Sequence, residues 1–390
     1  MTIPVDPLLP LGPTARTTPL PIRPMMLPGI ALLAILVIGL ASSVYALVFK
    51  RAELPAAAVT WSHVLGGETA SDIAQLLQKE NPLEDPLVTF DRATSYVLTG
   101  DLGRFVRRGC GNWLFLTDEL VLRPGREGNF ANHIAAVERV AGFLKSRNIA
   151  LVVLPVPDKS RIEAAELCGV DRPTVVAGRL REFEEQLRQG GIAVVDVSRP
   201  MEAAGGELYY HTDTHWNEHG AKTVAGTLAA ALRQAGLAPT QKAEFRVVSE
   251  PLQERVGDLI RFAGLERLPW PLRPRGDEVA LTEIEQTAAA NVGILDETPP
   301  PELVIVGTSF SNASNFSPFL ALALGSPVEN EAISGGGLFT SARKYFAKPE
   351  FSKSPPHMIV WEIPERMLEE YVPAVDDDWT KSLGISQPAK

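Results

Sequence analysis

An uncharged apolar stretch of 25 residues, at positions 25–49, constrains this chain more than any other feature of its sequence. About 20 apolar residues in a helix suffice to cross the hydrocarbon of a bilayer. The apolar core of a cleaved signal peptide is normally about 7 to 15 residues long, so we expect an uncleaved transmembrane anchor, with a signal peptide as the alternative. Positive residues flank the stretch on both sides and do not orient it. Residues 1–24 are rich in proline, which predicts a disordered tail.

From its length we expect the chain to form two domains. Of the 390 residues, 45% are hydrophobic and 22% are charged, which is typical of a globular protein. The formal net charge is −10 and there is no long basic run, so we expect no nucleic-acid partner, because phosphate binding needs clustered Lys and Arg. Two cysteines, Cys110 and Cys168, are too few for a disulfide scaffold or a zinc site built from thiolates.

Apolar segments alternate with amphipathic segments along most of this remaining chain. We predict helices at residues 131–147 and 179–189, and strands at residues 113–116, 149–156, 192–197, 303–306 and 358–362. Such alternation indicates an α/β fold in which a mostly parallel sheet is covered by helices on both faces, giving three layers. We predict a membrane-proximal stalk at 50–100, with a helix at 70–80, followed by a folded domain at 101–372 and a tail at 373–390. Within the folded domain, the Pro- and charge-rich segment 238–301 is predicted to be an insertion or a β-rich excursion from the sheet.

Polar side chains that could carry chemistry lie in two segments, residues 209–220 and 303–312. Catalytic groups in open parallel sheets collect at the carboxyl ends of strands. Ser309 follows a predicted strand directly, which is the position of the nucleophile in α/β esterases. A serine needs a base that a third group orients, and the closely spaced His215 and Asp213 can supply both. We expect the backbone amide of Ser309 or of a neighbour to be the oxyanion donor.

Two other interpretations of these segments remain open. A serine at a strand exit is more often the N-cap of a helix than a nucleophile. His211, His215 and His219 recur every four residues, which on one helix would align three imidazoles for zinc. We expect no metal, because residues 213–214 resemble a helix cap and the helix body would begin only at Asn217. His211 and His219 would then be surface residues, or residues that contact the catalytic side chains but not the substrate.

Four motifs in order resemble those of a known family: Gly-Asn-Trp-Leu-Phe at 111–115, Asp-Thr-His-Trp at 213–216, Gly-Thr-Ser-Phe-Ser at 307–311 and Trp-Glu-Ile-Pro-Glu-Arg at 361–366. Over about residues 102–368 the chain resembles the alginate O-acetyltransferases of the AlgJ and AlgX family and their cellulose-acetylation relatives. The resemblance implies an SGNH-hydrolase-like domain. It also implies that Asp213 is the orienting acid, His215 the base and Ser309 the nucleophile.

The sequence departs from parts of the family pattern. It ends soon after the last motif, so we expect the membrane-anchored AlgJ type rather than the AlgX type, which carries an additional carbohydrate-binding module. The asparagine of standard SGNH enzymes has two candidates here, Asn312 and Asn330. In the last motif, Glu362 and Arg366 follow a strand end and could line the site, but we expect them to form a structural ion pair.

The function implied by the resemblance is O-acetylation of an exopolysaccharide, alginate-like or cellulose, through a serine ester. We expect no cofactor, an acetyl donor that is a multi-spanning membrane acyltransferase of the MBOAT type, and a catalytic domain that faces the periplasm from the inner membrane. The acidic balance makes a neutral glycan at least as plausible as alginate. A carbohydrate esterase with the same triad and a non-enzymatic, membrane-anchored envelope protein are the alternatives. In an oxidising periplasm, Cys110 and Cys168 could form a disulfide.

Overall fold

The computed structural model describes residues 23–49, 60–289 and 302–383, and the chain divides into two units, Met1–Phe90 and Asp91–Lys390. In the first unit, helix α1 (Arg23–Phe49) contains the apolar stretch. Its segment Met26–Ala46 is long and apolar enough to cross a membrane, and only 6% of its most apolar window is buried. α1 is therefore not the core helix of a soluble domain, and it fits a membrane anchor or a signal sequence.

Three further helices follow α1 along the chain. They are α2 (Trp61–Gly66), α3 (Glu68–Glu80) and α4 (Glu84–Thr99). α3 contains the helix that the sequence predicts at 70–80. The predicted disordered tail at 1–24 lies almost entirely outside the described residues.

The second unit alternates strands and helices as the sequence indicates. Its described strands are β1 (Val106–Arg108), β2 (Leu114–Leu116), β3 (Ala150–Val156), β4 (Ala193–Val194), β5 (Ala243–Ser249), β6 (Gln253–Arg255), β7 (Asp277–Val279), β8 (Thr282–Ala289), β9 (Leu303–Val306), β10 (Glu329–Asn330) and β11 (Met358–Pro364). Its described helices are α5 (Arg126–Ser146), α6 (Lys159–Ile162), α7 (Thr174–Ala177), α8 (Arg179–Gln189), α9 (Ser198–Ala204), α10 (Glu218–Gln234), α11 (Asp258–Phe262), α12 (Ser309–Asn312), α13 (Phe316–Leu324), α14 (Gly337–Phe346), α15 (Pro349–Lys353) and α16 (Ala374–Leu383).

The main sheet has five parallel strands in the order β10, β9, β11, β3, β4. The central strand β11 pairs with β3 on one side and with β9 on the other, and all seven of its residues are buried. Successive side chains of a strand point to opposite faces of the sheet. One face packs on α10 and α13, and the other packs on α5, α8 and α14. The three-layer α/β fold predicted from the sequence is confirmed.

The sequence is less informative at the margins of this sheet. The strand predicted at 192–197 is paired only at Ala193 and Val194, because β4 is an edge strand with β3 as its one neighbour. Residues 374–383, which we expected to belong to a tail, form α16. Asp376 at its start is buried and bonds to Arg343 of α14 at 3.2 Å, so this helix covers the domain.

The segment predicted as an insertion or β-rich excursion, 238–301, contains two small antiparallel pairs. β5 pairs with β8, and β6 pairs with β7. The short helix α11 lies between β6 and β7 in the chain. The last part of the segment, 290–301, lies outside the described residues.

A disulfide joins the hairpin of β1 and β2 to the segment that follows α6. Cys110, in the hairpin turn, is bonded to Cys168, and their Cα atoms are 5.2 Å apart. The disulfide considered from the sequence is confirmed. It closes a loop of 58 residues that contains α5 and β3.

We expect removal of this disulfide to lower the free energy of unfolding by about 2–5 kcal/mol, because a loop of this length constrains the unfolded chain. Urea unfolding of the oxidised and the reduced protein measures the difference. The double variant C110S/C168S is the control, since reductant should not change its stability. Alkylation of both cysteines in the unfolded, unreduced protein would contradict the bond.

Candidate active site

Three polar side chains from two distant segments meet at the carboxyl edge of the sheet. Ser309 begins α12 directly after β9, whereas Asp213 and His215 lie in the loop between α9 and α10. The Ser309 hydroxyl lies 2.7 Å from Nε2 of His215, and Nδ1 of His215 lies 2.6 Å from Oδ1 of Asp213. With the proton assigned to Nδ1, the hydroxyl donates to the imidazole and the imidazole donates to the carboxylate. The structure thus brings together the three residues that the sequence singled out.

A buried carboxylate holds the turn that presents the serine. Glu362 of β11 accepts hydrogen bonds from the backbone N–H of Thr308 at 2.6 Å and from the hydroxyl of Ser311 at 3.1 Å. Thr308 also donates to it through its hydroxyl and acts as the N-cap of α12. Burial raises the pKa of Glu362, and these hydrogen bonds oppose the rise. The turn after β9 is therefore tied to the central strand of the sheet.

The ion pair expected between Glu362 and Arg366 does not form. The oxygens of Glu362 point to the donors of the turn after β9, which satisfy them. Arg366 turns to other partners: its Nη1 lies 3.8 Å from Oε1 of Glu119, and its guanidinium lies 5.0 Å from the ring centroid of Phe310. Glu362 thus positions the serine turn instead of pairing with an arginine.

The loop that carries Asp213 has no regular secondary structure, and a buried lysine holds its carbonyl groups. Lys159, which follows β3 and is fully buried, donates from Nζ to the carbonyls of Leu114, His211 and Asp213 at 2.6, 2.8 and 3.0 Å. All three protons of the ammonium group are thereby used. Burial lowers the pKa of Lys159 to about 8, although carboxylates in the surroundings favour the charged form.

Two carboxylates hold the N–H groups of the same loop. Asp277 accepts from the backbone N–H of His211 at 2.7 Å and of Thr212 at 3.1 Å. Asp258 accepts from the backbone N–H and from the hydroxyl of Thr214, each at 2.7 Å. Three backbone N–H groups of this loop, which belongs to no sheet or helix, are thus bonded to charged side chains.

Residues 255–258 complete the surroundings of Asp213. Nη1 of Arg255 donates to Oδ2 of Asp213 at 2.8 Å, and the backbone N–H of Asp258 donates to the same oxygen at 3.1 Å. Between them, Gly257 lies so close to the carbonyl of Thr212 that any side chain there would collide with it. This segment belongs to the stretch 238–301, so the predicted insertion supplies part of the site.

Asp213 is buried and nevertheless stays ionised. Burial by itself would raise the pKa of its carboxyl group. The hydrogen bond from His215 and the positive charge of Arg255 outweigh that effect and hold the pKa well below its usual range. An ionised carboxylate can orient the imidazole and stabilise the positive charge that develops on it.

These groups line an open cleft of about 530 Å³. Arg261, Glu266, Asn312 and Ser334 also line it. A larger cavity of about 720 Å³ lies at the amino ends of β3 and β4, and neither Ser309 nor its partners line it. The candidate chemistry and the room for a substrate therefore coincide in the smaller cleft.

The amide groups of both candidate asparagines are engaged elsewhere. Nδ2 of Asn312 donates to the carbonyl of Ala332 at 3.2 Å and to the hydroxyl of Ser334 at 3.1 Å. Nδ2 of Asn330 donates to Oδ1 of Asn312 at 2.9 Å and to a backbone carbonyl at 3.0 Å. The backbone amide of Ser309 remains the predicted oxyanion donor.

The three histidines do not line one helix. α10 begins after His215 with Asn217 as its N-cap, so the cap expected at 213–214 is wrong and only His219 lies in the helix. Nδ1 of His211 lies 3.3 Å from Asp277, and this hydrogen bond is the main cause that raises the pKa of His211 to about 9. The spacing of four residues therefore does not produce a zinc-binding face.

A different set of residues could offer ligands to a cation. Asp213, His215 and Asp258 have potential ligand atoms within 4.8 Å of one another. Oδ2 of Asp213 already accepts from Arg255, and Oδ1 accepts from His215. A cation would therefore have to compete with a guanidinium group for this carboxylate.

The residues that sequence reasoning missed are Lys159, Arg255, Asp258 and Asp277. One signal could have identified Lys159, because it follows an apolar strand at the carboxyl edge where functional groups collect. No local pattern marks the others, since Arg255 meets its partner 42 positions away and Asp277 meets its partner 66 positions away.

Known proteins similar to this chain share a family. A family model described as "SGNH hydrolase-like domain, acetyltransferase AlgX" matches residues 106–365. The probable alginate O-acetylase AlgJ of Azotobacter vinelandii is 31% identical over 330 residues, which cover 82% of this chain and 84% of that protein. The protein of the same name from Pseudomonas aeruginosa is 29% identical over 340 residues, which cover 83% and 86%.

Two solved structures extend this similarity to the fold. The O-acetyltransferase domain of Pseudomonas putida AlgJ has a TM-score of 0.63 and 28% identity, and the match covers 72% of this chain and 99% of that one. AlgX of Pseudomonas aeruginosa has a TM-score of 0.51 and 26% identity, and the match covers 72% and 66%.

We expect Gly307→Ala to disturb the serine turn, because a Cβ there would lie 2.6 Å from Oε2 and 2.9 Å from Cβ of Glu362. Since the buried β11 leaves Glu362 no room, Ser309 should move, and esterase activity should fall by about 100-fold or more. Gly142→Ala is the matched control, because nothing lies near its Cβ position within helix α5. That change should leave activity intact and raise stability by about 0.5–1 kcal/mol. Full activity of the Gly307 variant would contradict the role of this contact.

Proposed function

Since this chain belongs to the family of AlgX-type, SGNH hydrolase-like acetyltransferase domains, we propose that it transfers acetyl groups through Ser309 to hydroxyls of an alginate-like exopolysaccharide. The observation that carries this proposal is the hydrogen-bond chain from Asp213 through His215 to Ser309 at the edge of an open cleft. The relatives are probable alginate O-acetylases, which supports an acetyl group as the group transferred and alginate as the kind of acceptor.

The reaction needs two acyl transfers with the same three residues. In the first, His215 accepts the proton of Ser309 while the Oγ atom attacks the acetyl carbonyl, and the donor's leaving group departs with that proton. Ser309 then carries an acetyl ester. In the second, a sugar hydroxyl gives its proton to His215 and attacks the ester, and Ser309 regains the proton as it leaves. Asp213 remains ionised throughout and stabilises the imidazolium.

The acetyl donor in this proposal is a multi-spanning membrane acyltransferase of the MBOAT type. The apolar helix α1 supports it, because an anchor would keep the domain beside a membrane-embedded donor and raise their effective concentration. The acceptor is a polysaccharide. A sugar hydroxyl of a polymer can reach Ser309 because the cleft is open to solvent.

We place the catalytic domain in the periplasm, held to the inner membrane by α1. Two observations support this location. α1 is long enough to span the bilayer, and the disulfide between Cys110 and Cys168 is of a kind that persists in oxidising compartments and is rare in the cytosol.

We expect S309A and H215A each to abolish acetyl transfer, because neither group can act without the other. D213N should retain slow activity, with a loss on the order of 10⁴-fold. The measurement follows release and transfer of acetyl from an activated ester by the full chain, with and without alginate oligosaccharide. Faster turnover with acetylated oligosaccharide indicates a transferase, whereas equal turnover with free acetate as the product indicates an esterase.

A metal-dependent enzyme would give another pattern. Chelator would inactivate it, and S309A would stay active. In that case H211A and H219A would be as damaging as H215A. With the triad, H219A serves as the control within the same segment, because His219 lies in α10 outside the hydrogen-bond chain to Ser309, and this variant should keep most of the activity.

The orientation makes a separate prediction. A reporter fused after Lys390 should be active only if it is a type that folds outside the cytosol, such as a phosphatase that needs disulfides. A reporter that works only in the cytosol should be inactive at the same position, and activity from it would contradict the proposed orientation.

A further inference from the structure

The imidazole of His215 faces more charge than the catalytic carboxylate alone. Asp213 contacts its Nδ1 atom from the same loop, and Oδ2 of Asp258 lies 3.5 Å from that Nδ1 atom. Arg255 does not contact the imidazole and instead binds the far oxygen of Asp213 at 2.8 Å. The imidazole therefore lies next to two carboxylates, one of which is paired with a guanidinium.

The other sides of the imidazole face a hydroxyl, an aromatic ring and several charged side chains. Ser309 donates to Nε2, and the ring of Phe310 lies edge-on with its centroid 4.8 Å away. Behind that ring lies the guanidinium of Arg366. The ammonium of Lys159 is bonded to the backbone carbonyl of Asp213, and Arg261 and Glu266 line the open side of the cleft.

Arg255 by itself would reduce the ability of the Asp213 carboxylate to stabilise a positive charge on His215. A guanidinium bound to Asp213 cancels much of the negative charge that should stabilise the imidazolium in the transition state. Asp213 and Arg255 taken together carry no net charge. Asp258 returns one negative charge, so the trio of Asp213, Arg255 and Asp258 has a net charge of about −1.

The side chains of Arg255 and Asp258 are both held in place by further contacts. The guanidinium of Arg255 lies over the ring of Tyr210, with 4.3 Å between its central carbon and the ring centroid. The carboxylate of Asp258 is fixed by two hydrogen bonds from Thr214. These contacts fix geometry and bring the charge of Asp258 to the imidazole, where the charges of Arg255 and Lys159 also act on it.

We propose that Arg255 and Asp258 form an opposed charge pair that positions Asp213 and sets the basicity of His215. Arg255 anchors the carboxylate and lowers the basicity, and Asp258 restores it. Both are positioning residues, because they act through Asp213 and His215 and not on the substrate. The proposal rests on the proposed function in that His215 is the base.

The pair can be tested by a charge cycle in the full chain in detergent micelles. Two readouts are needed: the acid limb of the pH profile of kcat/KM for an activated acetyl ester, and the titration midpoint of the His215 imidazole by NMR, assigned by its loss in H215A. D258N should move both to lower pH by about one unit, and with them lower the rate about tenfold. R255Q should move both to higher pH by about one unit. The double variant R255Q/D258N should return within about a third of a unit of the wild type.

Two controls separate charge from packing. R255K keeps the positive charge and should leave the midpoint unchanged even if activity falls. E266Q removes one negative charge from the wall of the same cleft, and, unlike Asp213 and Asp258, Glu266 forms no ion pair with His215 in the described part of the chain. It should shift the midpoint by less than a third of the D258N effect.

Shifts of D258N and R255Q in the same direction, or no shift in either, would overturn the proposal, as would an equal shift in E266Q. The NMR readout does not depend on turnover. If the midpoints shift in opposite directions but the protein does not transfer acetyl groups, the proposed function is rejected and the charge pair is retained. If the protein has a Ser309-dependent activity but the midpoints do not shift, the charge pair is rejected and the proposed function is retained.

Discussion

The site depends on one constraint: a buried loop that belongs to no helix or sheet must still have its backbone polar groups satisfied, here mostly by side chains. An unsatisfied buried donor or acceptor costs about 1–3 kcal/mol. In the loop at 211–214 the carbonyls of His211 and Asp213 are bonded to an ammonium, and three N–H groups are bonded to carboxylates. Lys159, Asp277 and Asp258 therefore determine where Asp213 and His215 can lie.

Lys159, Asp277 and Asp258 can position this loop only if they are themselves held in place. Asp158, the neighbour of Lys159, is fully buried and bonds to Arg179 at 2.5 Å, while Arg161 binds the buried Glu365 at 2.6 Å. Removing one partner from such a network leaves an uncompensated buried charge, which is strongly destabilising. Burial and the charge of Glu365 raise the pKa of Asp158, and the arginines oppose this. This network joins the ends of β3 and β11, and it therefore fixes the backbone from which the Lys159 side chain extends.

Local patterns in the sequence were enough to predict the parts that depend on neighbouring residues. Apolar runs predicted the strands β3, β9 and β11, and a serine directly after β9 predicted the residue that meets His215. Parts that depend on distant partners were missed. The partners of Arg255 and Asp277 are far away in the chain, and α16 is stable only because α14 and α5 provide a surface for it.

The central claim, that Ser309 carries the acetyl group, can be tested by finding that group during turnover. The full chain is mixed with an activated acetyl ester, quenched in acid within a single turnover, digested and analysed by peptide mass spectrometry. The account predicts an acetyl ester on Ser309 that disappears when a polysaccharide acceptor is added, and no such ester in H215A. Transfer of acetyl to the acceptor with the group passing through another residue, and never through Ser309, would contradict it.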